Sequence, residues 1–579
     1  MSERRAIAAA ILTPALLLIW ACGEGPTPPE PELEGHVHPT LAAHDEEFER
    51  KLYEVTDGVH VAVGFGLANS ILVEGDECVF IVDAMGSVES AQAVKAEFDS
   101  ITSKPIEAII YTHNHVDHVF GTRGLAPDGD VDVYAHESTS YYINRVVNVI
   151  RPVLSERSAR MFGAALPSEG PDRLINVGIG PFLDVTQPGS TNGLIRPNKT
   201  FADELDLTLC GVPVTLVHAP GETNDQLFVW LPEQRVLMPG DNIYKAFPNL
   251  YTIRGTLYRD VLGWVQSLDR MRALEAEHLV PSHTRPVSGK REIAEILTAY
   301  RDGIQFVHDQ TIRGMNEGLT PDELVEVVVL PPHLKNHPYL QELYGTVEWS
   351  VRAVYSGYLG WFNGDTATLS PAGPAERAAG FAELAGGVEG LLGAARVAVE
   401  AERYAWAAEL ATQVMRVDPG LEEARALKAR ALRELGRRSI SPNGRNYYLT
   451  QALELEGAVE LELDFNPENA LALIGTIPIG DFIAAMPARL DPGKSESTNL
   501  IVGFRFPDVD EGYTIHVRRG VAEFRPRFPD APDLVITADS GVWKEVVIGL
   551  RNPALAFASG DVEVDGSTLD LVGFLRLFR

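Results

Sequence analysis

The string Thr112-His113-Asn114-His115-Val116-Asp117-His118 constrains this chain more than any other feature. It follows at once on residues 105–111 (PIEAIIY), a short apolar run that predicts a buried strand. Phe120-Gly121 closes it. The order of strand and then cluster puts three imidazoles and a carboxylate on a loop at a strand end, where rigid scaffolds carry their chemistry. Imidazole and carboxylate are the usual zinc ligands besides thiolate. A His pair spaced i, i+2 converges on one ion as it leaves a strand. Asp117 and His118 then face elsewhere and can hold a second. The chain has 15 His in 579 residues, so chance would give such a string about once in a thousand chains. The bland alternative is a solvated His-rich loop.

A dinuclear site needs more ligands, and later strand ends offer them. Val214–Val217 predicts a strand ending in His218-Ala219-Pro220-Gly221-Glu222-Thr223. Arg235–Met238 predicts one ending in Pro239-Gly240-Asp241-Asn242, and Leu279-Val280 leads to Pro281-Ser282-His283. Taken singly, Glu222 is an ordinary turn residue, Asp241 a helix cap and His283 a satisfied core histidine. His136 and His218 read as structural. The three cysteines cannot make a disulfide framework, and Cys78 and Cys210, in apolar stretches with no companion nearby, read as buried rather than reactive thiols.

The HxHxDH loop, the PG loop, the GD loop and the late SH loop, in this order, resemble the metallo-β-lactamase superfamily. The resemblance implies an αββα sandwich with two metals at one edge, two Zn2+ or other divalent transition ions. It implies that His113, His115 and Glu222 hold the first metal, that Asp117, His118 and His283 hold the second, and that Asp241 bridges. The loop Glu222-Thr223-Asn224-Asp225 departs from the family pattern and leaves Asp225 as the other candidate ligand.

Beyond Asp241, the segment Asn249-Leu250-Tyr251-Thr252-Ile253-Arg254-Gly255, followed by Arg259-Asp260 and Trp264, resembles the alkylsulfatase family. That resemblance implies a sulfate group held by Asn249 and Arg254, with Tyr251 on the same substrate-binding loop. The catalytic set is then Asp117, Asn249 and Arg254, acting with a metal-activated water. A planar guanidinium suits a tetrahedral oxyanion, since it donates paired hydrogen bonds. It also supplies local positive charge in a chain whose formal net charge is −32. So acidic a chain excludes non-specific binding to a nucleic-acid backbone. Residues 308–313 (HDQTIR), 330–334 (LPPHL), 344–350 (YGTVEWS) and 358–362 (YLGWF) are similar to the family's helical dimerisation region, which implies a homodimer.

Further along, Tyr404–Val417 and Leu421–Leu435 predict two helices. Ile440–Leu449 reads as a boundary. After it, runs at 498–504, 512–518, 520–525 and 533–538 predict strands, 540–549 and 552–559 predict helices, and 560–566 a turn-rich return. This part resembles a sterol-carrier-protein-like α+β domain, whose apolar tunnel could take an alkyl chain. At the other end, Arg4-Arg5, the apolar run to Trp20 and Ala21-Cys22-Gly23 read as a signal peptide of lipoprotein type.

The expected layout is a signal peptide at 1–21, a Pro-rich linker at 22–45, a catalytic sandwich at 46–300, an all-α domain at 301–440 and an α+β domain at 441–579. The expected protein is an extracytoplasmic bacterial hydrolase of aliphatic sulfate esters, possible to tether at a membrane through Cys22. Two rivals remain: hydrolysis of another ester, a lactone or phosphodiester, and a lipid-binding lipoprotein with an inactive metal domain.

Overall fold

The computed structural model describes residues 36–461, 467–566 and 568–578. The signal peptide and Cys22 lie outside the described residues. A seven-stranded sheet runs in chain order from Lys51–Thr56 to Lys199–Phe201. Its first four strands are antiparallel, and the steps from Val79–Val82 onward are parallel. A six-stranded sheet follows from Glu204–Leu209 to Val287–Ser288.

Period-2 alternation assigns the faces. Phe80, Val82, Ala108 and Ile110 point inward and meet Leu216, Val229, Met238 and Val280 of the second sheet. The intervening Ile81 and Ile109 point outward against Ala91, Val94 and Phe98 of the helix Val88–Phe98. Ser87 caps that helix by accepting from the Ser90 amide at 3.1 Å. On the other flank, helices Val261–Ala273 and Lys290–Asn316 cover Val217, Phe228, Leu237 and Leu279. The order is helix, sheet, sheet, helix, as the sequence implied.

Three sequence expectations need correction. Cys78 and Cys210 are not separate thiols but a disulfide, with Cα atoms 5.2 Å apart across a sequence separation of 132. The turn at Gly75–Cys78 meets the hairpin turn at Cys210, whose carbonyl accepts from the Asp76 amide at 2.8 Å. Only the stacking of the two sheets brings these turns together. Residue 300 is not an edge either: Tyr300 is fully buried midway along the continuous helix Lys290–Asn316. Nor is Ile440–Leu449 a boundary. It begins the helix Pro442–Leu455, whose first turns are buried. Ser441 Oγ and Asn443 Nδ2 donate to the Tyr344 carbonyl at 3.0 and 3.3 Å, and Arg160 makes two bonds to Glu454 at 3.0 and 2.9 Å. This helix therefore braces the sandwich.

Helices Tyr404–Val417 and Glu422–Arg438 pack with Val388–Glu400 around Leu410, Val414 and Leu427. The last sheet has five strands, and 560–566 contains one of them, Val562–Asp565, paired antiparallel to Leu534–Ala538. Phe504, Phe506, Trp543 and Phe574 pack in its core, each at most 1% exposed. Asn144 Nδ2 ties this unit to the sandwich by donating to Asp481 Oδ2 at 2.6 Å. No helix among the described residues is long and apolar enough to cross a membrane.

Candidate metal centre

Four loops leave the same edge of the two sheets, and each delivers polar side chains to one place. The loop after Ile106–Ile110 brings His113, His115, Asp117 and His118. The loops after Val212–His218, Val236–Met238 and His278–Leu279 bring Glu222, Asp241 and His283. These seven form two groups, His113, His115, Glu222 and Asp241 in one, and Asp117, His118 and His283 in the other. Within each group the donor atoms lie within 4.8 Å of one another. Asp241 faces both, with Oδ2 3.6 Å from His113 Nε2 and 3.1 Å from His283 Nε2, and Oδ1 3.4 Å from His118 Nε2. His113 Nε2 and His115 Nδ1 converge at 2.8 Å.

The donor set fits divalent ions. His118 Nε2, Glu222 Oε2 and Asp241 Oδ1 are buried without a hydrogen-bond partner among the described residues. Lone pairs so enclosed are costly unless something positive accepts them. Nitrogen and carboxylate oxygen without thiolate suits zinc and its first-row neighbours.

Electrostatics sharpen the picture. Burial, joined by the nearby His118 charge, holds His113 well below its usual range. Burial likewise lowers His115, with His113 and Arg254 adding to it. Burial opposes charge on His118, but Asp117, Asp241 and Asp83 outweigh it and push that imidazole well up. Burial also works against the Asp241 anion, but His283, His118 and His113 outweigh it and hold its carboxyl far down. Glu222 is pushed up by burial against the pull of Arg259. A cluster of this kind is poised to exchange protons for metal ions.

The structure separates the two candidates of the departing loop. Glu222 stands in the cluster, with Oε2 3.2 Å from His115 Nδ1. Asp225 instead accepts from Asn114 Nδ2 at 2.5 Å, and burial pushes its carboxyl up. Glu222 is held there by its neighbours. Asn242 Oδ1 accepts from the Glu222 amide at 3.1 Å, Asn242 Nδ2 donates to Ala219 O at 2.7 Å, and Trp264 Nε1 donates to Asn242 O at 3.1 Å. Gly221 is required here, since a Cβ would lie 2.2 Å from Asn242 Oδ1.

Asn249 and Arg254 approach the first group. Arg254 Nη2 lies 3.1 Å from His115 Nε2, and Asn249 is 1% exposed with neither side-chain amide atom bonded among the described residues. Tyr251 is half-buried on the same loop, and among the described residues no hydrogen bond joins its hydroxyl to the cluster. His136 and His218 lie outside it, stacked on each other with centroids 3.9 Å apart.

Sequence reasoning missed Asp83. It follows the strand Val79–Val82 and adopts φ 63°. Its Oδ1 accepts from the Thr112 amide at 2.9 Å. Its Oδ2 accepts from Thr112 Oγ1 at 2.9 Å, His118 Nδ1 at 2.8 Å and Ser282 Oγ at 2.7 Å. Thr112 Oγ1 in turn accepts from His113 Nδ1 at 3.0 Å. One carboxylate thus orients a histidine of each group. A strand ending in an acid was the available signal. His283 Nδ1 is fixed separately, donating to Leu67 O at 2.8 Å.

Comparison with known proteins agrees with this geometry. Residues 63–283 match the metallo-beta-lactamase superfamily, 320–458 the alkyl sulfatase dimerisation family and 468–579 the alkyl sulfatase C-terminal family. The chain is 42% identical to a linear primary-alkylsulfatase of a Pseudomonas sp. (strain ATCC 19151), covering 88% of this chain and 98% of that one. It is 28% identical to an alkyl/aryl-sulfatase of Saccharomyces cerevisiae, over 91% of this chain and 82% of the other. The solved structure of a stereoselective inverting sec-alkylsulfatase from a Pseudomonas sp. superposes with a TM-score of 0.88 at 27% identity, covering 94% and 87% of the two chains.

Proposed function

The chain belongs to the alkylsulfatase family, and on that premise we propose that it releases sulfate from linear aliphatic sulfate esters with two zinc ions held by His113, His115 and Glu222 and by Asp117, His118 and His283, Asp241 serving both. It is a metal-dependent hydrolase of the metallo-β-lactamase fold. The observation that carries the finer reading is the pair of ligand groups sharing Asp241, with the Arg254 guanidinium 3.1 Å from His115.

When bound, the two ions supply hydroxide near neutral pH by acidifying water. The chain's own groups do the rest. Arg254 and Asn249 hold the sulfate and offset charge that builds on its oxygens. Asp83 fixes the tautomers of His118 and, through Thr112, of His113, so that their Nε2 lone pairs face the centre. The buried setting excludes water and strengthens each of these contacts.

The reading extends to assembly and location. The match to the dimerisation family supports a homodimer. The Cys78–Cys210 disulfide supports an oxidising, extracytoplasmic compartment, in keeping with an exported chain.

The test is sulfate release from dodecyl sulfate by the protein lacking residues 1–22, alongside His115→Ala and Arg254→Ala, with metal content measured on each. Release by the wild type alone, at about two zinc per chain, supports the reading. A loaded wild type that releases no sulfate from any alkyl sulfate but cleaves a lactone or phosphodiester refutes it.

A further inference from the structure

Residues 64–69 join the strands Val59–Val63 and Ser70–Glu74 at the edge where the ligand loops emerge. Asn69, the last of them, is 3% exposed and no step above uses it. Its backbone amide donates to Ser282 O at 2.7 Å. Its side-chain nitrogen donates to Pro281 O at 3.0 Å and to Thr284 O at 2.8 Å. Both of those acceptors are carbonyls, so the nitrogen end of the amide must be the one that faces them. One residue thus holds the carbonyls on both sides of His283, more than 200 positions away in the chain. Two residues back, Leu67 O takes the His283 Nδ1 proton.

The turn it holds is strained. Thr284 has φ 66°, in the left-handed region where a β-branched residue is a genuine outlier. Such a conformation persists only where its surroundings over-determine it, and it gathers at functional sites. Thr284 is 1% exposed, and its Oγ1 donates to His283 O at 2.5 Å and accepts from the Lys245 amide at 3.3 Å. The same turn sets His283 Nε2 3.1 Å from Asp241 Oδ2 and 3.6 Å from Asp117 Oδ2. A relaxed Thr284 would rotate the peptide that follows His283 and swing the ring off that line. The platform beneath is firm. The Leu67 amide donates to Asp184 Oδ2 at 2.8 Å, and a Cβ on Gly66 would lie 2.1 Å from Asp184 Oδ1, so this loop has little room to follow a moving turn.

We propose that Asn69 is a positioning residue for His283: by spanning the Pro281 and Thr284 carbonyls it holds Thr284 in its left-handed conformation and keeps His283 Nε2 aimed at Asp117 and Asp241. This rests on the dinuclear reading above. Its consequence is asymmetric. The ion of Asp117, His118 and His283 depends on Asn69, whereas His113, His115 and Glu222 accept nothing from it.

The experiment compares wild type, Asn69→Ala, Thr284→Gly and the double variant, all lacking residues 1–22 and loaded with zinc. A chelator competition reads the two affinities, metal is counted per chain, and kcat and KM are read on dodecyl sulfate. Asn69→Ala is expected to release one ion at least about tenfold more easily and to keep the other. Its kcat falls with the ion lost, while KM stays within about twofold because Arg254 and Asn249 stand by the other group. On the Thr284→Gly background the same change at Asn69 should cost no more than about threefold, since Gly adopts this φ without strain. Both ions held within about twofold of wild type, an equal loosening of both, or a loss as large on the Thr284→Gly background as without it overturns the assignment.

Melts of the metal-free proteins show whether each variant folds, and Asn69→Ser, which keeps one donor, replaces Asn69→Ala if it does not. A crystal structure of the zinc-loaded wild type asks the same question without a substitution. Thr284 at positive φ, with the Asn69 nitrogen within about 3.2 Å of both carbonyls, supports the proposal, and Thr284 at negative φ overturns it. If the wild type holds no zinc, the metal reading itself fails. If the wild type holds two ions and Asn69→Ala holds them as tightly, only the role of Asn69 falls.

Discussion

Replacing Asp83 by Asn isolates the outer contacts of the metal centre. The backbone there has φ 63°, a left-handed conformation that Asn tolerates, so the exchange adds no backbone strain. What changes is Oδ2, which accepts three of the four bonds made to this carboxylate. With an amide nitrogen in that place, the Thr112 and Ser282 hydroxyls rotate and accept instead. His118 has no such freedom. Its Nδ1 must carry a hydrogen if Nε2 is to offer a lone pair, so an amide N–H 2.8 Å away meets another donor. Losing such a partner typically costs ten- to a hundredfold in metal affinity, about 1.4–2.8 kcal/mol. The ion held by Asp117, His118 and His283 should weaken most. The other should weaken less, because His113 is reached only through Thr112. The assay is a chelator competition titration with metal counted per chain, and Ser282→Ala as a control that keeps the carboxylate and loses one donor. Two ions retained in Asp83→Asn within about twofold of the wild-type affinities would refute the orienting role.

Other outcomes follow from contacts elsewhere. Burial opposes the charge on Glu47, yet Arg285 and Lys245 outweigh it and hold its carboxyl at about 2 against an ordinary 4.5. A depressed carboxyl stabilises the fold above its unfolded pKa and loses that stability as pH falls toward the folded one. Glu47→Gln should therefore cost about 1–2 kcal/mol of stability at pH 7 after screening of the partly exposed partners, read as a lower Tm, and the gap should close as melts are run from pH 4.5 down to pH 2. A gap that stays constant with pH would contradict the ion-pair account. Thiol titration of the unfolded protein lacking residues 1–22 should find no free thiol before reduction and two after it, and Cys78→Ser with Cys210→Ser should cost about 2–4 kcal/mol by denaturant melt. Gly221→Ala puts a Cβ 2.2 Å from Asn242 Oδ1 and 2.8 Å from the Trp264 ring, so it should cost about 1–3 kcal/mol and loosen the metal more than a surface Gly→Ala at Gly541, which has open space.

The rear half shows how far local pattern carries. The strand at Asn499–Phe506 and the helix Tyr404–Val417 lie within a residue or two of where alternation and helical spacing put them. Pro442–Leu455 does not, because Ser-Pro-Asn-Gly reads as a turn and here opens a helix. Pro suits a first helical turn, and packing against Tyr344 outweighs the local turn chemistry. The close packing of Phe504, Trp543 and Phe574 in the last unit was equally hidden. Apolar positions on strands and helices look the same whether their side chains close on one another or line a tunnel.

What the sequence determined by itself was everything that one short stretch encodes. A buried strand running straight into His113-x-His115-x-Asp117-His118 marks a candidate metal loop, and the ordered PG, GD and SH strand ends bring the remaining candidate ligands to it. What only the tertiary structure decided were pairings between distant residues with no local signature. Asp83 reaches Ser282, Arg259 takes one oxygen of Glu222 and leaves the other, and Cys78 finds Cys210. Each depends on two sheets stacking so that loops far apart in the chain leave the same edge. Hydrophobic alternation sets which face of a strand is inside, but the burial it drives is non-directional and does not say which loop ends meet. That choice is made only when the sheets close and the polar groups at their ends must find partners.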